Sequence, residues 1–423
     1  MAALLFISFI ALIFLGIPVA FSLGLSSLLY LIIADIPLSI IPQRMFGGLN
    51  SFTLLCIPGF ILAGNLMNSS GITDRIIHFA NSILGHIRGG LGLANVGASM
   101  GFAGISGTAL ADTASIGSVM IPAMKKQGYG AGFSSAVTAS SSVVGPIIPP
   151  SLPMIMVGTL AAISIGDLFV AGIIPGVLLT LGLMIPTYII SVKRNYPKGE
   201  RSSLKEVWTS FTGSFWALFM TVIILYGILG GYFTPTEASI IAVLYAIFVG
   251  LFIYKQLSIK DIPGVVLKSM TSAASIMLLV AFANLFGWIM TREQIPQMVA
   301  ESILSISPNE VVVILLILLL LLFVGTFMET IAALVILFPV LLPVATQIGM
   351  DPVQFGVVMV LALVLGLMTP PVGVCLFVAA QIGKVSMGKV VRELIPFFAV
   401  GILVLLLVAF IPQVTLYLPS LLD

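Results

Sequence analysis

Charge is scarce in this chain. Its 423 residues include 15 acids and 17 bases, and charged side chains make up 8% of it. A soluble domain carries about 25%. So few charges cannot cover the outside of a 44.6 kDa soluble fold. Cysteine and histidine are nearly missing as well. Cys56 and Cys375 both sit in apolar stretches and offer neither a disulfide framework nor a metal spacing. Two histidines, His78 and His86, exclude a histidine-rich metal centre. The net charge of +2 carries no nucleic-acid signature. The absence of a Walker A string and of a soluble domain excludes ATP-driven transport by this chain alone.

What is abundant is apolar: 60% of the residues, with a mean hydropathy of +1.24. This is the composition of a polytopic membrane protein. Backbone polar groups in a bilayer must be satisfied internally. The short alternating segments of an outer-membrane barrel are missing, which leaves an all-α bundle. Candidate spans are 2–16, 18–34, 51–69, 130–163, 172–193, 208–231, 235–254, 264–290, 352–383 and 391–418. Residues 2–16 lack a basic start and a cleavage site and read as a retained span. With 18–34 they form either two spans or one helix kinked at Gly16-Ile17-Pro18.

Two apolar regions fit no simple span. Residues 91–125 and 309–345 each hold a polar cluster midway, GISGTALADT (104–113) and GTFMET (325–330). A lipid-facing acid at mid-membrane costs several kcal/mol. Two half-length helices meeting at a tip inside protein avoid that cost, so both regions read as re-entrant hairpins. Residues 72–88 are an amphipathic interfacial helix, and 292–306 look like its counterpart. Trp208, Trp216 and Trp288 read as interface anchors near span ends. Lys193, Arg194, Lys198, Arg201 and Lys205 mark one loop as cytoplasmic. Counting outward places Lys125, Lys126, Lys255, Lys260, Lys384, Lys389, Arg392, Arg75 and Arg88 on the same side, and leaves only Arg44 and Arg292 outside.

The halves match in register. Pro18 pairs with Pro235, Asn65 with Asn284, Gly107-Thr108 with Gly325-Thr326, and Asp112-Thr113 with Glu329-Thr330. Gly145 pairs with Gly366, and Pro149-Pro150 with Pro370-Pro371, so the offset drifts only from 217 to 221. The expected fold is two inverted repeats, 1–206 and 207–423. Each has about five spans, an interfacial amphipathic helix, a re-entrant hairpin and a broken helix. Inverted repeats with interrupted helices point to a secondary transporter rather than an enzyme, with its site near mid-membrane.

The broken helices are 130–163, interrupted by GPIIPP (145–150), and 352–383, interrupted by GLMTPP (366–371). Proline donates no hydrogen bond and leaves a carbonyl one turn earlier without its partner. Oxygen-only coordination by such carbonyls suits a hard cation such as Na⁺. Each broken helix is expected to face the hairpin tip of its own repeat, with Ser106, Gly107, Thr108, Asp112 and Thr113 on the first tip and Gly325, Thr326, Glu329 and Thr330 on the second. Asp112 and Glu329 either cap the second half-helix or contact ion or substrate. Four half-helix N-termini converging at mid-membrane would suit an anionic substrate. Substrate candidates are Ser106, Thr108, Asp112, Pro149, Pro150, Glu329, Thr369 and Pro370. The polar run SSAVTASSS (134–142) serves helix packing or lines a substrate path.

These motifs resemble the large membrane subunit of the tripartite ATP-independent periplasmic (TRAP) transporters over nearly the whole chain. The resemblance rests on FLGIPVAFSLG (14–24), IPGFILAGNLM (57–67), GFAGISGTALADTASIGS (101–118), GPIIPPS (145–151) and GLMTPPVG (366–373). It implies an elevator-type fold, with a scaffold at roughly 1–69, 172–290 and 391–423 and a transport domain at roughly 91–163 and 309–383. It implies Na⁺-coupled import of an organic acid, sialic acid or a C4-dicarboxylate, across the bacterial inner membrane, with no cofactor. It implies two partners, a small four-helix membrane subunit and a soluble periplasmic substrate-binding protein. It places Na⁺ on Ser106, Gly107, Thr108, Gly145, Ile148, Gly325, Thr326, Gly366, Met368 and Thr369, with Ile148 and Met368 acting through their carbonyls. The competing reading is a stand-alone sodium/dicarboxylate carrier of related fold, working without a binding protein.

Overall fold

The computed structural model describes residues 2–306 and 309–421, and among them only helices, turns and loops occur. The first part comprises α1 (Ala2–Phe14), α2 (Val19–Ile33), α3 (Ile40–Leu49), α4 (Cys56–Ser69), α5 (Ile72–Leu84), α6 (Gly90–Ser106) and α7 (Ala109–Lys126). It continues with α8 (Ala131–Ser141), α9 (Leu152–Ala161) and α10 (Ile165–Lys193). Then come α11 (Leu204–Leu229), α12 (Pro235–Phe248), α13 (Ile262–Arg292), α14 (Ile295–Ile306), α15 (Glu310–Gly325) and α16 (Thr330–Gln347). The chain closes with α17 (Pro352–Gly366), α18 (Val374–Gly383), α19 (Met387–Phe410) and the short α20 (Gln413–Leu416).

Among the described residues, seven helical stretches are long and apolar enough to cross a membrane, by length and composition: Phe52–Ser69, Ile165–Lys193, Leu204–Leu229, Pro235–Ile253, Ile262–Arg292, Thr330–Gln347 and Met387–Phe410. Both expected hairpins are helix pairs, α6–α7 and α15–α16. Both expected broken helices are interrupted, α8 from α9 and α17 from α18. The expected amphipathic helices are α5 and α14. The Pro149–Pro150 and Pro370–Pro371 peptides are both cis.

Local chemistry sets the boundaries. Gly16, at φ +81°, and Pro18 separate α1 from α2, so the start of the chain forms two helices that pack on one another. At 13 and 15 residues, each rises only about 20 Å and is too short to cross about 30 Å of hydrocarbon. Capping boxes start α11 (Ser203 with Glu206) and α12 (Thr234 with Glu237). Pro412 ends the last long helix at Phe410, short of the expected 418. Helix α3 has no counterpart in the expected spans; its ten residues are too few to cross a membrane, and none of them is buried. Trp216 lies midway along α11, well inside the span, whereas Trp208 opens that helix and Trp288 lies one turn from the end of α13.

The packing separates two groups. Helices α1–α4, α12 and α13 pack mainly on each other, with α4 against α12 and α13 against α2, α3 and α4, whereas α11 packs first on α5 and then on α12. The hairpins and broken helices pack among themselves: α8 against α7, α18 and α19, α15 against α17, and α16 against α9 and α17. Two segments expected in the scaffold also pack against the hairpin group. Helix α10 packs on α6, α17 and α19, and α19 on α8 and α17, so both belong by packing with the hairpins. Their apolar content reads the same against lipid or protein, and sequence alone does not assign them.

The polar run in α8 is a packing surface. Ser134, Ser140 and Ser142 return their hydroxyls to carbonyls one turn back. Asn95 of α6 donates to Thr138 at 2.7 Å, and Ser99 to Ser141 at 2.8 Å. Small hydroxyl side chains let the helices approach closely and meet most of their polar groups, with Ser135 Oγ and Asn95 Oδ1 left without a partner among the described residues.

Candidate functional site

Helix α6 ends because Gly107 turns left-handed at φ +62°. Thr108 then accepts from Ala111 N through its hydroxyl and starts α7. This places Asp112 in the first turn of α7 with its side chain fully buried. Ser106 donates to one of its carboxylate oxygens, and the other, Oδ2, has no partner. Gly145 sits against that free oxygen; a Cβ there would lie 3.0 Å from Asp112 Cγ. Gly107 also approaches the broken helix: a Cβ on it would meet the Pro150 carbonyl at 3.1 Å. Ser151 donates to the Pro146 carbonyl and starts α9 by accepting from Met154 N. Among the described residues, no hydrogen bond reaches the carbonyls of Gly145, Ile148, Pro149 or Pro150. The first tip and the first broken helix thus meet, as the sequence places them. An unpaired buried carboxylate oxygen costs several kcal/mol, so this donor set fits a small cation.

The second tip is built differently. Gly325 lies against Gly366, where a Cβ would stand 3.1 Å from Gly366 Cα. Thr326 accepts from Gly373 N at 3.1 Å through its carbonyl. The Thr326 and Thr369 hydroxyls donate to Phe323 O at 2.7 Å and Leu365 O at 2.8 Å. No hydrogen bond reaches the carbonyls of Met368, Thr369 or Pro370 among the described residues. Pro370 and Pro371 are exposed, whereas Pro149 and Pro150 are buried.

The two acids take different positions despite their register in the sequence. Glu329 is the N-cap of α16, and its carboxylate accepts from Ile331 N at 2.9 Å and Ala332 N at 3.3 Å. Asp112 caps nothing; Thr108 holds the cap position in the first hairpin. Replacing Glu329 by alanine is expected to cost about 1–2 kcal/mol through two orphaned N–H groups. Glu329→Gln keeps an accepting oxygen and should retain most of that stability. Thermal unfolding of the two detergent-solubilised variants separates the cap from the charge.

All four half-helices begin at one place. Ala109, Thr330 and Val374, the first residues of α7, α16 and α18, and Pro153, the second of α9, line a cavity of about 30 Å³, together with Thr108, Pro146, Glu329 and Cys375. That volume holds a water or a small ion but no organic acid. A larger pocket of about 170 Å³ adjoins the first tip, sharing Thr108. Ser106, Thr108 and Ser115 face Asn65 and Asn68 of α4 and Ser272 of α13 across it. It opens towards a polar vestibule of about 380 Å³ that shares Asn68 and Ser115 and reaches Asp74. Asn68 donates to Ser115 at 3.2 Å and accepts from Thr73 at 2.9 Å. Asn65 donates to Ser269 of α13 at 2.9 Å.

Asn68, Ser115 and Ser272 are absent from the sequence-derived candidates, and Asn65 served there only to mark the repeat. The signal was present: Asn65 and Asn68, three apart, put two amides on one face of an otherwise apolar helix.

Comparison with known proteins agrees with this architecture. Residues 6–414 match the family described as "Tripartite ATP-independent periplasmic transporter, DctM component". The chain is 43% identical over 413 residues to the sialic acid TRAP transporter large permease protein SiaM of Vibrio cholerae, covering 97% of each chain. It is 36% identical over 436 residues to the C4-dicarboxylate TRAP transporter large permease protein DctM of Rhodobacter capsulatus, covering 100% of this chain and 99% of that one. It is also 38% identical over 410 residues to the sialic acid TRAP transporter permease protein SiaT of Haemophilus influenzae, covering 97% of this chain and 67% of that one. Among solved structures, the YdaH transporter of Alcanivorax borkumensis superposes at a TM-score of 0.61 with 15% identity and 88% coverage of each chain, which shows a shared fold. An all-helical bundle with these spans, hairpins and broken helices, matched by profile and by relatives over nearly its full length, belongs to the DctM family of TRAP transporter large permeases: a multi-pass protein of the bacterial inner membrane.

Proposed function

We propose that this chain is the transmembrane subunit of a Na⁺-coupled importer for an organic acid, delivered by a periplasmic binding protein and working beside a small membrane subunit. The observation that carries the reading is the buried, unpartnered carboxylate oxygen of Asp112, which lies against Gly145 of the broken helix while Ser106 holds the other oxygen. Na⁺ bound there neutralises the buried charge and ties the hairpin tip to the broken helix. The second tip offers a counterpart at Thr326, Met368 and Thr369 through main-chain oxygens. The acid sits in the adjoining 170 Å³ pocket, where the Thr108 hydroxyl and the second amide hydrogen of Asn65 supply donors and the α7 N-terminus supplies partial positive charge. Alternating access follows if the hairpin group, with α10 and α19, moves as one body along α2–α4 and α11–α13.

Two substrates are weighed. The higher identity to the sialic acid permease favours a sialic acid. The pocket volume, below the roughly 300 Å³ at which sites for drug-sized ligands begin, favours a C4-dicarboxylate, the substrate named for the Rhodobacter relative. The test is uptake of each acid by proteoliposomes of the complete membrane complex under an inward Na⁺ gradient, with and without the binding protein. The expected outcome is accumulation of one acid that needs both the gradient and the soluble protein. Sodium-independent uptake removes the coupling, and uptake without the binding protein turns the reading into the stand-alone carrier.

A further inference from the structure

A fourth cavity, of about 380 Å³, lies on the opposite face of α6 from the polar pocket. Phe79 and Ile83 of α5, Met100 of α6, and Leu218 and Val222 of α11 line it, and Ile148 reaches it from the broken helix. Its lining is almost wholly apolar. The Thr221 hydroxyl, which borders it, is already spent on the Gly104 carbonyl at 3.1 Å. Water finds too few partners there, and an organic acid finds none.

The cavity runs inward from the membrane surface. The Phe79 ring lies tilted against Phe211 at 5.5 Å, and Phe211 lies one turn past Trp208 near the start of α11. Leu218 and Val222 follow two to three turns deeper along the same helix. At the surface end of α5, past Leu84, stand exposed His86 and Arg88. Gly85 O accepts from Gly199 N at 2.9 Å, and Gly89 N donates to Pro197 O at 3.3 Å, which brings Lys198 to the same corner. Arg88 donates to Asn195 at 3.4 Å; neither Arg88 nor Lys198 forms a salt bridge among the described residues, although Glu200 lies in the same loop.

A cationic corner above an apolar slot matches one kind of occupant, an amphiphile with an anionic head and a hydrocarbon tail. We propose that this cavity binds one acyl chain of an anionic phospholipid, with its phosphate at the Arg88–Lys198 corner. The tail packs on Ile148. If the functional reading above holds, that contact also places a lipid against the loop whose carbonyls take Na⁺.

The test replaces Val222 by photoreactive p-benzoylphenylalanine in the complete membrane complex. The complex is placed in phosphatidylethanolamine vesicles with or without phosphatidylglycerol, irradiated, and its adducts are read by mass spectrometry. The expected adduct is phosphatidylglycerol, several-fold enriched over its share of the vesicle. Arg88→Gln with Lys198→Gln, both on the exposed rim, should return the adduct to the bulk composition. A phosphatidylglycerol share equal to bulk in the parent, enrichment unchanged in the double variant, or crosslinks only to the small membrane subunit each overturns the proposal. The readout uses no transport, so its failure is separate from failure of the Na⁺-coupled reading.

Discussion

Asp112→Asn is expected to raise the Na⁺ concentration for half-maximal uptake by about 10–100-fold, or about 1.4–2.7 kcal/mol of ion affinity. The amide keeps the size of the side chain and accepts from Ser106, so the tip should still form. What is lost is the formal charge on the oxygen that has no protein partner. Gly145→Ala reaches the same site from the other side. Its methyl would stand 3.0 Å from Asp112 Cγ and against Oδ2, so the space for a cation closes. The methyl meets a packed carboxylate rather than the end of a flexible chain, so the neighbours have little room to yield. Both variants should insert and fold, because Asp112 caps no helix and Gly145 has an ordinary negative φ. Uptake measured across a Na⁺ series decides. An unchanged Na⁺ dependence in both variants would falsify the tip as an ion site.

The parts legible in the sequence were those written in residue chemistry. Gly107 and Thr108 announce a turn and a cap, Pro149-Pro150 and Pro370-Pro371 announce interruptions, and a buried Asp112 announces a site inside protein. Each is a local signal with one physical cause. Partnership between helices was less legible. Helices α10 and α19 are as apolar as any lipid-facing span, yet they pack with the hairpins. The pocket wall was missed for a similar reason. Asn65, Asn68 and Ser272 lie in helices whose average is apolar, and a few amides and hydroxyls barely move that average. Register misled in one place. Asp112 and Glu329 align at a fixed offset, but Thr108 caps one half-helix and Glu329 the other, so the acids stand about one turn apart in their hairpins. The repeat therefore carries over the backbone, whereas side-chain roles are assigned separately in each half. The first tip holds an unpaired acid; the second has given its acid to a helix end.

That asymmetry makes the first hairpin the one whose contact with α4 matters most, and a short covalent link there should stop transport completely. Asn68 stands at the end of α4 and Ser115 in the second turn of α7, joined by a 3.2 Å hydrogen bond. They border both the pocket and the vestibule, so a solute passing from one to the other moves by them. Thr73 holds the Asn68 carbonyl oxygen at 2.9 Å and aims its amide at Ser115. A single exposed hydrogen bond between the two groups of helices contributes only about 1 kcal/mol, weak enough to break in each cycle. Cysteines at 68 and 115, in a chain with Cys56 and Cys375 replaced by serine, bring two thiols to that seam. Bridging them with a short bis-methanethiosulfonate, which joins the two thiols through disulfides, should abolish uptake, and reduction should restore it in the same vesicles. The reduced protein is its own control, so any cost of the substitutions cancels. Undiminished uptake in a fully bridged sample would mean that α4 and α7 keep their contact throughout the cycle, and the hairpin group would then not move against α4.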